Sequence, residues 1–248
     1  MWKVALALLA MQSASPALQT ASSAPPPTPT WSDDRPITRF LQNLTHDLRG
    51  LPSPVSAITL AVGGGSALAL HAADEEVQRW AAATAAPSYT KLGSGLGSIW
   101  VEGAGAFSTY AIGKLGHNAK LTHIGSDLIR SQALNGLITY GLKVSVDRTR
   151  PDGGHYSFPS GHSGAAFTSA AVLQGHFGWK AGVSAYAAAG FVGWTRIRDQ
   201  QHWLSDVAMG ATIGTIVGHT IIRGHRARVW QLTPVASQRS MAVYIVRN

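Results

Sequence analysis

Three short segments between residues 143 and 206 carry side chains suited to chemistry on an anionic group. In chain order they are Lys143-x6-Arg150-Pro151, Pro159-Ser160-Gly161-His162 and Thr195-Arg196-x5-His202-x3-Asp206. They provide three fixed positive charges, a predicted helix start whose free backbone N–H groups attract anions, and two histidines. Because His202 and Asp206 are four residues apart, a helix would place them on one face.

Each segment is weak evidence by itself. A lysine and an arginine after a helix are usually solvated, and Pro-Ser-Gly-His also fits an ordinary capped helix. The spacing of His202 and Asp206 recurs at His123 and Asp127, where no set of basic residues surrounds the pair. Together the segments are stronger evidence. The first ends a predicted helix and the second begins the next one. Two helices then run away from this end of the bundle and back to it, where the third segment lies. All three should therefore lie at one end of a bundle and form a phosphate site.

The elements that must position these segments are predicted to be helices. Asp33 or Asp34 can cap a first helix, which Pro52 ends. Apolar residues at helical spacing predict further helices at roughly 55–72, 93–114, 122–143, 161–178 and 203–222, and a shorter apolar stretch at 181–194. Since β-branched runs of period two are scarce, we expect an all-α fold, a helical bundle of about six core helices with the active site at one end.

Outside this body, the sequence predicts a targeting segment, a linker and a tail. Residues 1–24 resemble a signal peptide: one basic residue, a short apolar core and then small residues, with cleavage near Ala14 or Ala24. Residues 25–32 have the Pro- and Ser-rich composition of a linker. The helical domain then covers 33–228, and the tail, 229–248, contains one predicted short β-strand.

The composition excludes several classes of protein. Of 248 residues, 45% are hydrophobic and 13% are charged, which excludes a mostly disordered chain and a Glu- and Lys-rich coiled coil. Cysteine is absent, so neither a cysteine nucleophile nor a thiolate metal site is available. The net charge of +8 favours an anionic partner, but the basic residues are dispersed and we expect no nucleic acid binding.

The sequence does not decide whether two of the predicted helices cross a membrane. The apolar runs Val55–Leu70 and Val207–Ile222 are each about 16 residues long, just below the length that spans a bilayer. The basic residues after the second run fit either a cytoplasmic anchor or the favourable end of a helix dipole. The mean hydropathy of +0.06 is low for a protein with many spans. We expect membrane association, with a soluble bundle as the alternative.

The three spaced segments resemble the signature of the type 2 phosphatidic acid phosphatase superfamily, which also contains bacterial class A acid phosphatases and vanadate-dependent haloperoxidases. The family pattern is Lys-x6-Arg-Pro, Pro-Ser-Gly-His and Ser-Arg-x5-His-x3-Asp. Every spacing is met across residues 143–206, and Thr195 keeps the hydroxyl of the usual serine. The match is specific because three motifs agree in order as well as in spacing.

The resemblance implies a role for each matched residue. His202 would attack phosphorus and form a phosphohistidine, and Asp206 would hold the tautomer that can attack. His162 would protonate the leaving oxygen and later activate water. The phosphate-binding residues would be Lys143, Arg150, Ser160, Gly161 and Arg196. No metal or other cofactor is expected, because these cations would neutralise the phosphate.

Other residues near the segments match no position of the family pattern. His155 is interpreted as a loop histidine. Arg148 and Arg198 are interpreted as solvated side chains or as contacts to a substrate head group. Substrate specificity is expected to depend on the less patterned residues at 74–100 and 115–130, so the sequence does not name the leaving group.

The implied activity is metal-independent hydrolysis of a phosphate monoester or diphosphate, and the apolar helices favour a lipid substrate over a soluble one. We expect an exported protein of the cell envelope, in the inner membrane with its active site facing the periplasm, or else soluble in the periplasm. Two alternatives stay open: a vanadate-dependent haloperoxidase-like enzyme, and a non-catalytic membrane protein that binds anionic lipid. The sequence leaves the oligomeric state open.

Overall fold

The computed structural model describes residues 37–83, 88–225, 230–237 and 240–247. After a short 3-10 turn, these residues form nine α-helices and a two-stranded hairpin. The helices are α1 (Phe40–Gly50), α2 (Pro54–His71), α3 (Asp74–Ala82), α4 (Thr90–Leu96), α5 (Ile99–Leu115), α6 (Ala119–Val146), α7 (Gly161–Phe177), α8 (Trp179–Arg198) and α9 (Leu204–His225). The antiparallel strands are β1 (Trp230–Ser237) and β2 (Ser240–Arg247).

The predicted all-α bundle is confirmed, and two of its helices have different bounds. The predicted helix at 93–114 is two helices, α4 and α5, because Ser98 lies between them in an extended conformation and caps α5. Its hydroxyl accepts a hydrogen bond from the Trp100 N–H at 3.3 Å. Helix α8 continues to Arg198 rather than ending near residue 194. The extra turn carries two of the basic residues that the sequence places near the site.

Some elements have no predicted counterpart, and some predictions have no described residues. Helix α3 is short and begins with three acidic residues, so it lacks the long apolar pattern used to predict the others. The tail forms two paired strands where one was predicted. The predicted signal peptide (1–24), the linker (25–32) and the helix caps Asp33 and Asp34 lie outside the described residues.

Helices α7 and α9 pack with their backbones almost in contact. A Cβ added at Gly210 would lie 2.4 Å from the carbonyl oxygen of Ser160, and one at Gly214 would lie 2.3 Å from that of Gly164. Only glycine fits at this separation. The contact holds the start of α7 beside the start of α9, since the Ser160 N–H donates to the backbone carbonyl of Asp206 at 3.0 Å.

The apolar core explains why the chain carries so few charges. Alanine and valine side chains fill the space between α7 and α8, and a second cluster joins α6 to α9 through Leu134, Ile213 and Val217. Small side chains let the helices approach closely, so a short chain can bury several helix faces at once. The low charge content is therefore a property of the packing between helices.

Helix α2 differs from the others in its exposed apolar surface. It is 18 residues long with a mean hydropathy of 1.3, and 11% of it is buried. Ile58, Val62 and Leu68 are among its exposed side chains. Within the part of the chain that the structure describes, α2 alone is long and apolar enough to cross a membrane.

Substituting Gly214→Ala should destabilise the protein, because the added methyl group would meet the backbone of α7. We expect a loss of about 1–3 kcal/mol in the free energy of unfolding, as for other overpacked cores. Gly190→Ala in α8 is the matched control, since a Cβ there would meet nothing within 4 Å. That control should be neutral or slightly stabilising. Chemical denaturation in detergent measures both, and equal effects would contradict the close packing of α7 and α9.

Candidate active site

The structure brings the three spaced segments together at one end of the bundle. Lys143 lies near the end of α6, Gly161 begins α7, and Arg196 lies in the last turn of α8. A Cβ on Gly161 would be 3.9 Å from Cε of Lys143, so the first two segments are in contact. The hydrogen bond between the Ser160 N–H and the Asp206 carbonyl joins the second to the third.

A backbone carbonyl holds His202 in the tautomer whose Nε2 has a free lone pair. Its Nδ1 is 2.7 Å from the carbonyl oxygen of Ser157. Because a carbonyl can only accept, Nδ1 carries the proton and Nε2 keeps its lone pair. Burial lowers the pKa of His202 although the Asp206 carboxylate opposes this, so the ring is neutral at pH 7. The Gln78 amide also donates to the His202 carbonyl at 2.9 Å, which ties α3 to this loop.

Asp206 acts on His202 less directly than the sequence suggests. His202 precedes α9, which begins at Leu204, so the two residues do not share a helix face as predicted, and Oδ2 of Asp206 is 3.9 Å from Nδ1 of His202, beyond hydrogen-bond distance. Asp206 instead accepts a 2.5 Å hydrogen bond from the hydroxyl of Ser157 and another from the Trp203 N–H. Ser157 thus links the carboxylate to the histidine, since its hydroxyl binds one and its carbonyl binds the other.

Arg148 is paired with two carboxylates, so its interpretation as a solvated side chain is wrong. Its guanidinium donates to Asp206 at 2.6 Å and to Asp74 of α3 at 2.8 Å. It also donates to Ser205, whose hydroxyl reaches Asp74. Burial alone would raise the pKa of Asp206, but the hydrogen bonds it accepts and the charge of Arg148 bring this pKa below its usual value.

Two arginines present unpaired donors. The Nε atoms of Arg150 and Arg196 are both buried and, within the described residues, have no hydrogen-bond partner. Other atoms of the same groups are anchored: Arg150 donates to Gln201 at 2.9 Å, and Arg196 donates to Ser94 of α4. A buried donor without an acceptor is costly, and a bound anion would satisfy it. These groups are therefore held in place with donors available to an anion.

Lys143 and His162 complete the positive end of the bundle. The ammonium group of Lys143 donates to the Tyr156 carbonyl at 2.5 Å. Burial and the charge of Arg150 lower the pKa of Lys143 to about 8, although Asp206 opposes this. Burial lowers the pKa of His162 to about 4, and the nearby cations, chiefly Arg196, contribute. Without an anion in the site, His162 is therefore neutral at pH 7.

The hydroxyls of Ser160 and Thr195 are already used by the helices. Ser160 is the N-cap of α7, and its oxygen accepts from the hydroxyl of Ser163 at 3.0 Å. The Thr195 hydroxyl donates to the Val192 carbonyl within α8 at 2.8 Å. Both side chains are fully buried. The replacement of serine by threonine at 195 therefore keeps a helix contact.

The loops around the site contain left-handed backbone at residues other than glycine. Asp147, which follows α6, has φ of 41°, and Tyr156, whose carbonyl binds Lys143, has φ of 62°. Gln200, in the loop before His202, has φ of 55°. Such conformations cost about 1 kcal/mol or more each and persist where surrounding contacts impose them. The backbone conformation of these loops is therefore imposed by their tertiary contacts rather than by the intrinsic preference of these residues.

Two further residues near the segments lie away from this arrangement. Arg198 is buried and donates to the Ala81 carbonyl at the end of α3 at 2.9 Å, so it is not solvated as the sequence suggested. His155 is an exposed loop histidine, as predicted, 3.3 Å from Asp147. The supporting residues Ser94, Asp199, Ser157, Gln201 and Gln78 were not found from the sequence, because none belongs to the spaced pattern.

At this end of the bundle the structure gathers several cationic side chains, two histidines that are neutral at pH 7 and a buried carboxylate. Residues 125–230 match the family model of the PAP2 superfamily. The resemblance inferred from the spaced segments is thereby confirmed.

Three relatives are similar to parts of this chain. A stretch of 97 residues is 38% identical to the lipid A 1-phosphatase of Porphyromonas gingivalis, covering 38% of this chain and 22% of that protein. Another of 112 residues is 27% identical to the lipid A 4'-phosphatase of Helicobacter pylori, covering 40% and 57%. The crystal structure of Aquifex aeolicus LpxE superposes with a TM-score of 0.51 at 25% identity, covering 60% of this chain and 94% of that one. The chain spans less than two thirds of either curated relative.

Replacing Arg148 should reduce activity and change its pH dependence. Arg148→Gln removes one of the contributions that keep the pKa of Asp206 low, the smallest after the hydrogen bonds that the carboxylate accepts, so that pKa should rise. Since the carboxylate must be ionised, the acid limb of the kcat/KM profile should move to higher pH. At neutral pH kcat/KM should fall on the order of 10–100-fold, as when supporting contacts of other sites are lost.

Two variants separate positioning from general loss of structure. Arg148→Lys should restore part of the activity and shift the acid limb less than the glutamine variant. Arg49→Gln, at an exposed residue of α1, should match the wild type. An unchanged acid limb in Arg148→Gln would contradict the coupling of Arg148 to Asp206.

Removing the charge of Arg196 should raise the pKa of His162. In the wild type His162 becomes protonated only near pH 4, and Arg196 is the cation that lowers its pKa most. In Arg196→Gln the ring should titrate at higher pH, which ¹⁵N NMR of labelled histidine can follow. Adding orthophosphate to the wild type should also raise this pKa, because an anion favours the protonated ring. A lower or unchanged value in the variant would be inconsistent with this geometry.

Proposed function

We propose that this protein is a metal-independent phosphatase that hydrolyses a phosphate monoester or diphosphate of a lipid through a phosphohistidine. The observation that carries the proposal is the pair of buried, unpartnered guanidinium Nε atoms at Arg150 and Arg196, which occur beside a histidine whose Nε2 lone pair is available. Such donors suit the oxygens of a phosphoryl group, and a neutral imidazole suits attack on phosphorus.

The charged groups would bind and polarise the substrate. Lys143, Arg150, Arg196 and the start of α7 at Ser160 and Gly161 would contact the non-bridging phosphate oxygens. This positive environment stabilises the charge that spreads over those oxygens during transfer, which is the main demand of phosphoryl transfer. It also keeps His202 and His162 neutral until an anion arrives.

The two histidines would then act in sequence. His202 Nε2 attacks phosphorus as the bond to the leaving oxygen breaks, and its protonated Nδ1 remains on the Ser157 carbonyl. Binding of the anionic substrate raises the pKa of His162, so the ring can take up a proton and deliver it to the leaving oxygen. In the second step water attacks the phosphohistidine, His162 accepts the water proton, and phosphate is released with His202 neutral again.

Several features support a lipid substrate and membrane association. Helix α2 carries the exposed apolar surface described above, and a cavity of about 630 Å³ with a mostly apolar lining opens between α2, α6 and α9. Leu92 and Leu96 are exposed on α4, the helix that holds Arg196 through Ser94. Exposed apolar surface of this kind suits lipid. The relatives named as lipid A phosphatases favour a phosphorylated lipid of the same class.

The proposed location is the cell envelope. Residues 1–24 would act as the export signal, and the protein would lie in the inner membrane with the Lys143 end of the bundle facing the periplasm. Fractionation of cells expressing the full chain, followed by protease protection, tests this. Protein recovered in the cytosol would contradict it.

The decisive experiment measures phosphate release by the full chain in detergent. The wild type should release phosphate from lipid A, phosphatidate or an isoprenyl diphosphate in the presence of EDTA, and His202→Ala should abolish it. Loss of one guanidinium that would contact the phosphate, as in Arg150→Gln, should reduce the rate on the order of 10²–10³-fold, as for a lost oxyanion donor.

Controls separate this mechanism from the two alternatives. His155→Ala, at an exposed loop histidine, should retain activity. Undiminished turnover in His202→Ala would rule out the phosphohistidine. Bromide oxidation by hydrogen peroxide after loading with vanadate would instead support a haloperoxidase, and liposome binding without either activity would support a lipid-binding protein.

A further inference from the structure

A second polar cluster lies at the opposite end of the same helices. His123 and Asp127 lie near the start of α6, and His176 lies in the last turn of α7. At 1.5 Å rise per residue, Asp127 is about 24 Å along α6 from Lys143, and His176 is about 21 Å along α7 from His162. The proposed phosphatase mechanism uses none of these three residues.

The three side chains converge on one point. Nε2 of His176 is 2.8 Å and Nε2 of His123 is 3.7 Å from the same oxygen, Oδ2 of Asp127. All three donor atoms lie within 4.8 Å of one another, and the side chains are at most 9% exposed. In a tetrahedral zinc site, Zn–N and Zn–O bonds of about 2.0–2.2 Å place neighbouring donors about 3.3 Å apart. The observed separations bracket that value.

A buried ion pair fixes the third ligand. The guanidinium of Arg130 donates to the other oxygen of Asp127, Oδ1, at 2.7 Å, and its Nε is 3.0 Å from Asp47 of α1. Oδ2 of Asp127 therefore faces the histidines while Oδ1 is held. Metal-binding carboxylates and histidines are usually oriented by such outer contacts.

The types of donor in the cluster suit a transition metal. Two imidazoles and one carboxylate converge, and imidazole is a strong ligand for zinc, nickel and copper.

We propose that His123, Asp127 and His176 bind a divalent transition-metal ion, Zn²⁺ in particular, with water as the fourth ligand. The ion joins the start of α6 to the end of α7 and stabilises the bundle at the end away from the phosphate site. Because the ligands lie more than 20 Å along the helices from Lys143 and His162, by the helical rise, the ion takes no part in phosphoryl transfer.

Metal binding by the full chain in detergent tests the proposal. After removal of metal by chelation, titration calorimetry with Zn²⁺ should show one site per chain, and zinc should raise Tm. His123→Gln and His176→Gln should each weaken binding by more than the 10–100-fold seen when an outer contact is lost, since each removes a ligand. His46→Gln, at an exposed histidine beside Asp47, is the matched control and should bind zinc as the wild type does.

A separate measurement on the wild type covers variants that fail to fold. Co²⁺ added to the metal-free protein should give the visible absorption of a four-coordinate histidine site, and Zn²⁺ should remove it. His202→Ala should keep this spectrum, which excludes binding at the phosphate site. No bound metal, no change of Tm, or a spectrum lost in His202→Ala would each overturn the proposal, and leave the cluster as an ion-pair network.

Discussion

The contact between α7 and α9 is the constraint on which the site depends. Gly210 and Gly214 have no side chain, so the backbones of the two helices approach within a distance that no other residue allows. Where the two helices begin, the Ser160 N–H donates to the Asp206 carbonyl. This hydrogen bond places the N-terminal end of α7 beside Asp206, which is linked to His202 through Ser157. A wider separation of the two helices would move His202 away from the start of α7.

Three aspartates anchor the residues that hold the cations of the site. Asp152 accepts from Gln201, which binds Arg150, and Asp199 accepts from Ser94, which binds Arg196. Asp74 accepts directly from Arg148. The Nε atoms of Arg150 and Arg196 are buried and have no hydrogen-bond partner among the residues that the structure describes. Gathering several like charges is unfavourable without an anion, and burial together with this excess of charge lowers the pKa values of His162 and Lys143. The site therefore concentrates positive charge that a bound anion would balance.

Much of this could be predicted from the sequence, for reasons that particular residues make clear. The start of α7 depends on local capping and helical geometry, and the four-residue spacing of His202 and Asp206 predicted that their side chains lie near each other, although His202 precedes α9. The order of helices between the segments also predicted that they meet at one end. These inferences succeed because they rest on helical spacing and chain direction, which do not require knowledge of distant contacts.

Other features were decided only by the tertiary structure. Arg148 and Arg198 look alike in the sequence, yet one bridges Asp206 and Asp74 and the other closes the end of α3. The tautomer of His202 is set by the carbonyl of Ser157, and a backbone atom leaves no mark in a pattern of side chains. The pairs His123–Asp127 and His202–Asp206 share one spacing, but their surroundings come from different helices. The sequence by itself determined which residues could do chemistry and the order of the helices that carry them. The tertiary structure decided which of them are partners, because partners distant in the chain are chosen by packing.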